Sequence, residues 1–238
     1  MTSPTFLSKA VDATKLQSAS GLAVEGASAF VTSFAYDRLT VVGVSDSSNP
    51  AVLGSIQSSG SLDGANDVVV SGSYAFVACY NGDSVTVVDV SDTSNPSVVE
   101  AVRGGGMDGP RHLFLDGTSV YIAAMLSDSL HVLDASTVPG GAFSSWQFPT
   151  GSLDRARDVV VMGEYAIVLR QQGNGLTVVE KCAPPTTMTS TATSMTTTAT
   201  SVTTTGTSVT SITSTATSVL RLPPRRLRRP RQLQLRPQ

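Results

Sequence analysis

The stretch "VTVVDVSDTSNP", Val85–Pro96, repeats "LTVVGVSDSSNP", Leu39–Pro50, almost letter for letter and 46 residues later. Its first half, "VTVVDV", is rich in β-branched residues and reads as a strand. Its second half, "SDTSNP", reads as the turn that ends the strand. Ser91, Asp92 and Asn95 can bond local backbone groups, and Pro96 has no N–H to give to a ladder. A chain that writes the same element twice is built of repeats, and the period of the repeat sets the fold.

Two markers extend the period along the chain. Gly26, Gly72, Gly117 and Gly163 recur at spacings of 46, 45 and 46, as do Leu39, Val85, Leu130 and Leu176. Each unit holds four short strands, which in the second unit are "DVVVSG", "YAFVACY", "SVTVVDV" and "SVVEAVR". Gly72 falls at the tight connection between the first two, where a positive φ is expected. "YNGD" supplies the next turn. Four strands per 45–46 residues is the pattern of a β-propeller blade, so the fold class is all-β, a propeller of about four blades of four antiparallel strands. The segment "SPTFLSKAV", Ser3–Val11, aligns with "NPAVLGSIQ" of the first unit and reads as a fourth strand, while the last unit stops after its third, "GLTVVEK". Pairing of that N-terminal strand with the last blade would close a ring and hide its edges. A piece cut from a larger propeller would show the same ends.

The residues also resemble a known family. "LTVVGVSDSSNP" and "VTVVDVSDTSNP", with "DVVVSGSYAFVA" upstream, look like the LVIVD repeat, and more distantly are similar to YVTN-type surface-layer propellers. The resemblance covers about residues 4–181 and weakens in unit three, "LHVLDASTVPGG", and unit four, "LTVVEKCAPP". It implies a propeller of the kind found largely on or outside cells and mostly without an assigned activity. It carries over no catalytic residue.

Composition narrows the partners. Only 14% of residues are charged, and the formal net charge of −2 averages two unlike regions. Seven of the 16 basic residues are Arg within 221–238, which leaves nine against 18 acidic residues in the body, a net charge of −9 there. An acidic body without a basic stripe excludes nucleic acid as the propeller's partner. Two cysteines, Cys79 and Cys182, are too few for a disulfide scaffold; Cys79 is expected half-buried in a second strand. Trp146 is expected to pack between blades. No signal peptide is visible at the N-terminus, and no apolar run is long enough to span a membrane.

The propeller is assigned to residues 1–184. Residues 185–219 form a Ser/Thr-rich low-complexity stretch, with 24 Ser or Thr among residues 186–218 and a seven-residue repeat, "TATSMTT", "TATSVTT", "TGTSVTS". It reads as an O-glycosylated stalk or a flexible linker. Residues 220–238 form a disordered Arg/Pro-rich tail, either a functional basic arm or the product of a repeat read out of frame.

No nucleophile stands at a telling distance from His112 or His131, no phosphate loop precedes a helix, and "SLDGAND" lacks the ligands of a calcium loop. The candidate site comes from the repeat register. Five residues before each marker glycine stand Gly21, Asp67, His112 and Asp158, preceded by Ser20, Asn66, Arg111 and Arg157. Equivalent positions of a propeller start the innermost strands and ring the mouth of the channel. Asp67, His112 and Asp158 could hold a divalent metal there, with Gly21 leaving room for water, or Arg111 and Arg157 could hold an anion. The alternative is that each polar residue bonds the neighbouring blade. The sequence thus reads as a non-catalytic interaction module for a protein or glycan partner, monomeric, without a cofactor and with an extracellular or cell-surface setting. A metal- or anion-binding protein or metal-dependent enzyme at the mouth, and a fragment of a larger propeller, are the alternatives.

Overall fold

The same turn chemistry recurs in every unit and sets the strand lengths. Gly26, Gly72, Gly117 and Gly163 all adopt φ between +57° and +59°, the left-handed conformation that closes the first hairpin of each unit. In the computed structural model, which describes residues 3–140, 143–147 and 152–181, these hairpins generate four separate antiparallel sheets. Blade one is β1 (Ala19–Glu25), β2 (Ser28–Ser33), β3 (Arg38–Gly43) and β4 (Ala51–Gln57). Blade two is β5 (Ala65–Ser71), β6 (Tyr74–Cys79), β7 (Ser84–Asp89) and β8 (Ser97–Val102). Blade three is β9 (Pro110–Asp116), β10 (Ser119–Ala124), β11 (Ser129–Asp134) and β12 (Phe143–Gln147). Blade four is β13 (Ala156–Met162), β14 (Tyr165–Arg170) and β15 (Gly175–Glu180). Within each blade the strands pair in chain order. Among the described residues there is no α-helix, only single 3-10 turns at Phe34–Tyr36 and Ala135–Thr137, and no helix long and apolar enough to cross a membrane.

The blades stack by their faces. β1 packs on β5, β5 on β9 and β9 on β13, so the first strand of each blade is the innermost. Three apolar cores fill the gaps between neighbours. Phe30, Leu39 and Val41 of blade one meet Leu62, Val68, Val77 and Val88 of blade two. Phe76, Val85 and Val87 of blade two meet Leu113, Val120, Ile122 and Leu133 of blade three. Tyr121, Ala123 and Leu130 of blade three meet Val159, Ala166 and Val168 of blade four. Period-two alternation gives each strand one face for the blade before and one for the blade after.

The quoted stretch behaves as read. Val85–Asp89 lies in β7, and Asp92 Oδ1 accepts the N–H of Ser94 at 3.0 Å and its hydroxyl at 2.6 Å. Asp46 repeats the arrangement with Ser48. Two expectations change. Residues 3–12 lie in no strand and do not pair with β15, so blade four has three strands among the described residues. Cys79 is wholly buried, not half-buried, because its face of β6 points into the core between blades one and two. The side chain of Trp146, Cys182, the Ser/Thr-rich stretch and the Arg-rich tail lie outside the described residues.

Candidate functional site

A β-bulge at the start of each first strand builds the mouth. The ladder skips a residue between Ala65 and Asp67, between Pro110 and His112, and between Ala156 and Asp158, leaving Asn66, Arg111 and Arg157 as the extra residues. In blade one the shift spans Ala19 to Leu22. A bulge turns its residue out of the pleat and re-aims the side chain. The result is a cavity of about 210 Å³ lined by Ser20, Asn66, Asp67, Arg111, His112, Arg157, Asp158 and Leu169. The repeat register therefore gathers all five candidate residues at one opening. Leu169 was not anticipated; it arrives as the β14 partner of Asp158.

Two of the candidates are tied to the next blade. Asp67 Oδ2 accepts the backbone N–H of Leu113 at 2.8 Å, and the N–H of Val159 points at His112 Nδ1 at 3.4 Å. His112 also bridges the carboxylates, with Nε2 at 3.6 Å from Asp67 and Nδ1 at 2.8 Å from Asp158. Burial raises the Asp67 carboxyl above its ordinary value, opposed by the Leu113 N–H and by His112. Gly21 leaves no room for water. A Cβ there would lie 2.7 Å from the Asn66 carbonyl oxygen and the Asp67 Cα, so the glycine lets blade two approach. Among the described residues no group of three His, Cys, Asp or Glu side chains is arranged to hold a metal ion.

The residues on the bulge divide into two kinds. The Ser20 hydroxyl donates to the Ala65 carbonyl at 2.9 Å and the Asn66 amide to the Arg111 carbonyl at 2.6 Å. Arg111 and Arg157 do neither: their guanidinium groups make no hydrogen bond or ion pair with the described residues, yet they line the cavity. His131, by contrast, is buried in blade three, 2.6 Å from Ser129 Oγ, and burial pulls its pKa down to about 4.

Sequence reasoning missed a second ring of inter-blade bonds. Asp37, Asp83, Asp128 and Asn174 occupy the left-handed position of the second hairpin, with φ between +47° and +51°. Asp37 accepts the N–H of Gly64 at 2.8 Å, Asp83 that of Gly109 at 2.9 Å and Asp128 that of Arg155 at 2.6 Å. Their spacing of 46, 45 and 46 was the available signal.

Comparison with known proteins follows the blades. The LVIVD repeat model matches residues 17–58, 64–103 and 155–188. This is an LVIVD-repeat chain. The matches fall on blades one, two and four; unit three is unmatched, whereas unit four, where the resemblance was expected to weaken, is matched. No curated protein matches the LVIVD chain. Among solved structures it is similar to the β-propeller domain of Cps50 (Swd1) from Myceliophteria thermophila, at 8% identity and a TM-score of 0.53, over 69% of this chain and 54% of that one. The computationally designed Ika4 protein is similar at 10% identity and a TM-score of 0.53, over 70% of this chain and 92% of that one. Kuenenia stuttgartiensis hydrazine synthase is similar at 16% identity and a TM-score of 0.54, over 68% of this chain and 46% of that one. The LVIVD chain thus spans about half of the Cps50 domain and of the hydrazine synthase chain. At these identities the likeness shows the fold, a β-propeller, and nothing of activity.

Proposed function

We propose that this LVIVD propeller is a non-catalytic interaction module that takes its partner, a protein or a glycan, through a single anionic group held at the polar mouth. One observation carries the reading: Arg111 and Arg157 line the cavity and their guanidinium groups make no hydrogen bond or ion pair among the described residues, while the carboxylates beside them are engaged with His112 or with the next blade. A guanidinium holds a carboxylate, sulfate or phosphate by paired charge-assisted bonds. The net charge of −9 on the body repels a polyanion, so the fit is to an isolated anionic group. A surface setting, with residues 185–219 as a glycosylated stalk, belongs to the same reading.

The test is a panel of charged and neutral glycans and peptides presented to the full chain. Binding restricted to anionic members, weakened about tenfold or more by Arg111→Gln with Arg157→Gln, is the expected result. Equal capture of neutral members, or an unaffected double variant, sinks the proposal.

A further inference from the structure

Blade four ends the stack with a face built like those that blades one, two and three bury. Val85 and Val87 of blade two are 0% exposed under blade three, whereas their blade-four equivalents Leu176 and Val178 are 62% and 61% exposed. At the other end, Val68 and Val70 of blade two are 2% and 7% exposed beneath blade one, and their blade-one equivalents Leu22 and Val24 are 65% and 63% exposed. The two open faces are thus the two halves of an interface that the chain already forms three times.

The polar bonds of that interface are missing their partners in the same way. Asp37, Asp83 and Asp128 each accept a backbone N–H from the following blade, at Gly64, Gly109 and Arg155. Asn174 holds the same left-handed position in blade four, and Ser18, at φ +58°, holds the position of Gly64 in blade one. Asp67 accepts the Leu113 N–H of the following blade, while Asp158, its equivalent, meets His112 of the preceding blade and, among the described residues, no backbone N–H of a following one.

We infer that a second copy of this chain covers the open end: blade four of one copy seats on blade one of the next, head to tail, repeating the contact between successive blades. Blade one is poised to receive it. Residues 3–12 are held against the outer turn of blade one, where Ser8 Oγ donates to the Ser47 carbonyl. Gly54 takes the same place against Thr93 and Ser94 one blade on. The segment therefore stands where the fourth strand of a preceding blade belongs, with Phe6 and Leu7 exposed, while among the described residues no strand pairs with the outer edge of β15. Among the described residues the close packing of first strands runs from β1 to β5, β5 to β9 and β9 to β13, and nothing of that extent joins β13 to β1. A second copy meets both ends without disturbing the three packed cores. A contact of this hand closes into a ring or extends as a ladder.

Two chains test it, one carrying Asn174→Cys and the other Ser18→Cys, both with Cys182→Ser, so that the introduced thiol is the reactive one beside the buried Cys79. Mixed and oxidised, they are expected to yield a disulfide-linked pair that neither chain forms alone. The unmodified chain should run in sedimentation velocity at twice the chain mass or more, and Leu176→Asp or Leu22→Asp should each return it to single-chain mass with its β-sheet circular dichroism kept. Arg111→Gln with Arg157→Gln should leave the association unchanged. Single-chain mass for the unmodified protein at tens of micromolar, or no mixed disulfide while a chain carrying both cysteines links internally, overturns the inference in favour of closure within one chain.

Discussion

Asp67 Oδ2 accepts the backbone N–H of Leu113, 46 residues ahead, at 2.8 Å. One carboxylate thereby ties the first strand of blade two to the first strand of blade three. Asp67→Ala leaves that N–H without its acceptor in a largely covered place. We expect a loss of about 1–3 kcal/mol by urea denaturation, with a smaller loss for Asp67→Asn, whose amide oxygen can still accept.

The same residue sets a pH dependence. Burial holds the Asp67 carboxyl above its ordinary 3.8 in the fold. The folded state then binds this proton more tightly than the unfolded chain, so the contribution is greatest below about pH 4 and is lost as pH rises through the folded value. From pH 3 to 7 the melting temperature of the native protein should fall relative to that of Asp67→Asn, so the deficit of the variant is largest at the acid end and narrows as the pH rises.

The turn aspartates act with the opposite sign. Hydrogen bonds from Ser48 and Ser94 hold the Asp46 and Asp92 carboxyls below their ordinary 3.8. Their stabilising contribution is present above that value and is lost as pH falls through the folded one. Asp46→Ala with Asp92→Ala should lower the melting temperature at neutral pH and flatten its decline between pH 4 and 2. An unchanged acid profile would remove these turns from the account.

Gly21→Ala tests the approach of blades one and two. The added methyl group meets the Asn66 carbonyl, the Asp67 Cα and Thr32 Oγ1, all at 2.7 Å, and two of these are backbone atoms that cannot swing away. A loss of about 1–3 kcal/mol is expected. Gly60→Ala, with nothing within 4 Å of the added carbon, serves as the control.

Cys79 should be silent to thiol reagents. Burial raises its pKa to about 11, and its Sγ lies 3.2 Å from the Ser61 carbonyl oxygen. At pH 8 the native Cys182→Ser variant should bind no Ellman reagent, and should release one equivalent in guanidinium chloride.

Much of the blade was legible because a repeat multiplies each local signal. One glycine at a turn is weak evidence; Gly26, Gly72, Gly117 and Gly163 within 2° of one another in φ show four copies of one hairpin. The mouth was legible for the same reason, since equivalent positions of stacked blades share one end. What those residues do there was not legible. Whether Asp67 meets a ligand or the Leu113 N–H depends on a bulge and on the spacing between blades, neither of which leaves a motif in the sequence. The fourth-strand reading of Ser3–Val11 rests on alignment alone, and a strand also needs an edge to pair with; β15 does not meet it here.

Each apolar core lies between two consecutive sheets, and none is shared by three. Cohesion in such a stack is a sum of nearest-neighbour couplings, like links in a line, rather than the property of one central mass. Amide hydrogens should then exchange in a gradient along the line. Protection should peak in β6 and β7, covered on both sides, and fall through blade four to β15, and an added partner at the open end should raise it there first.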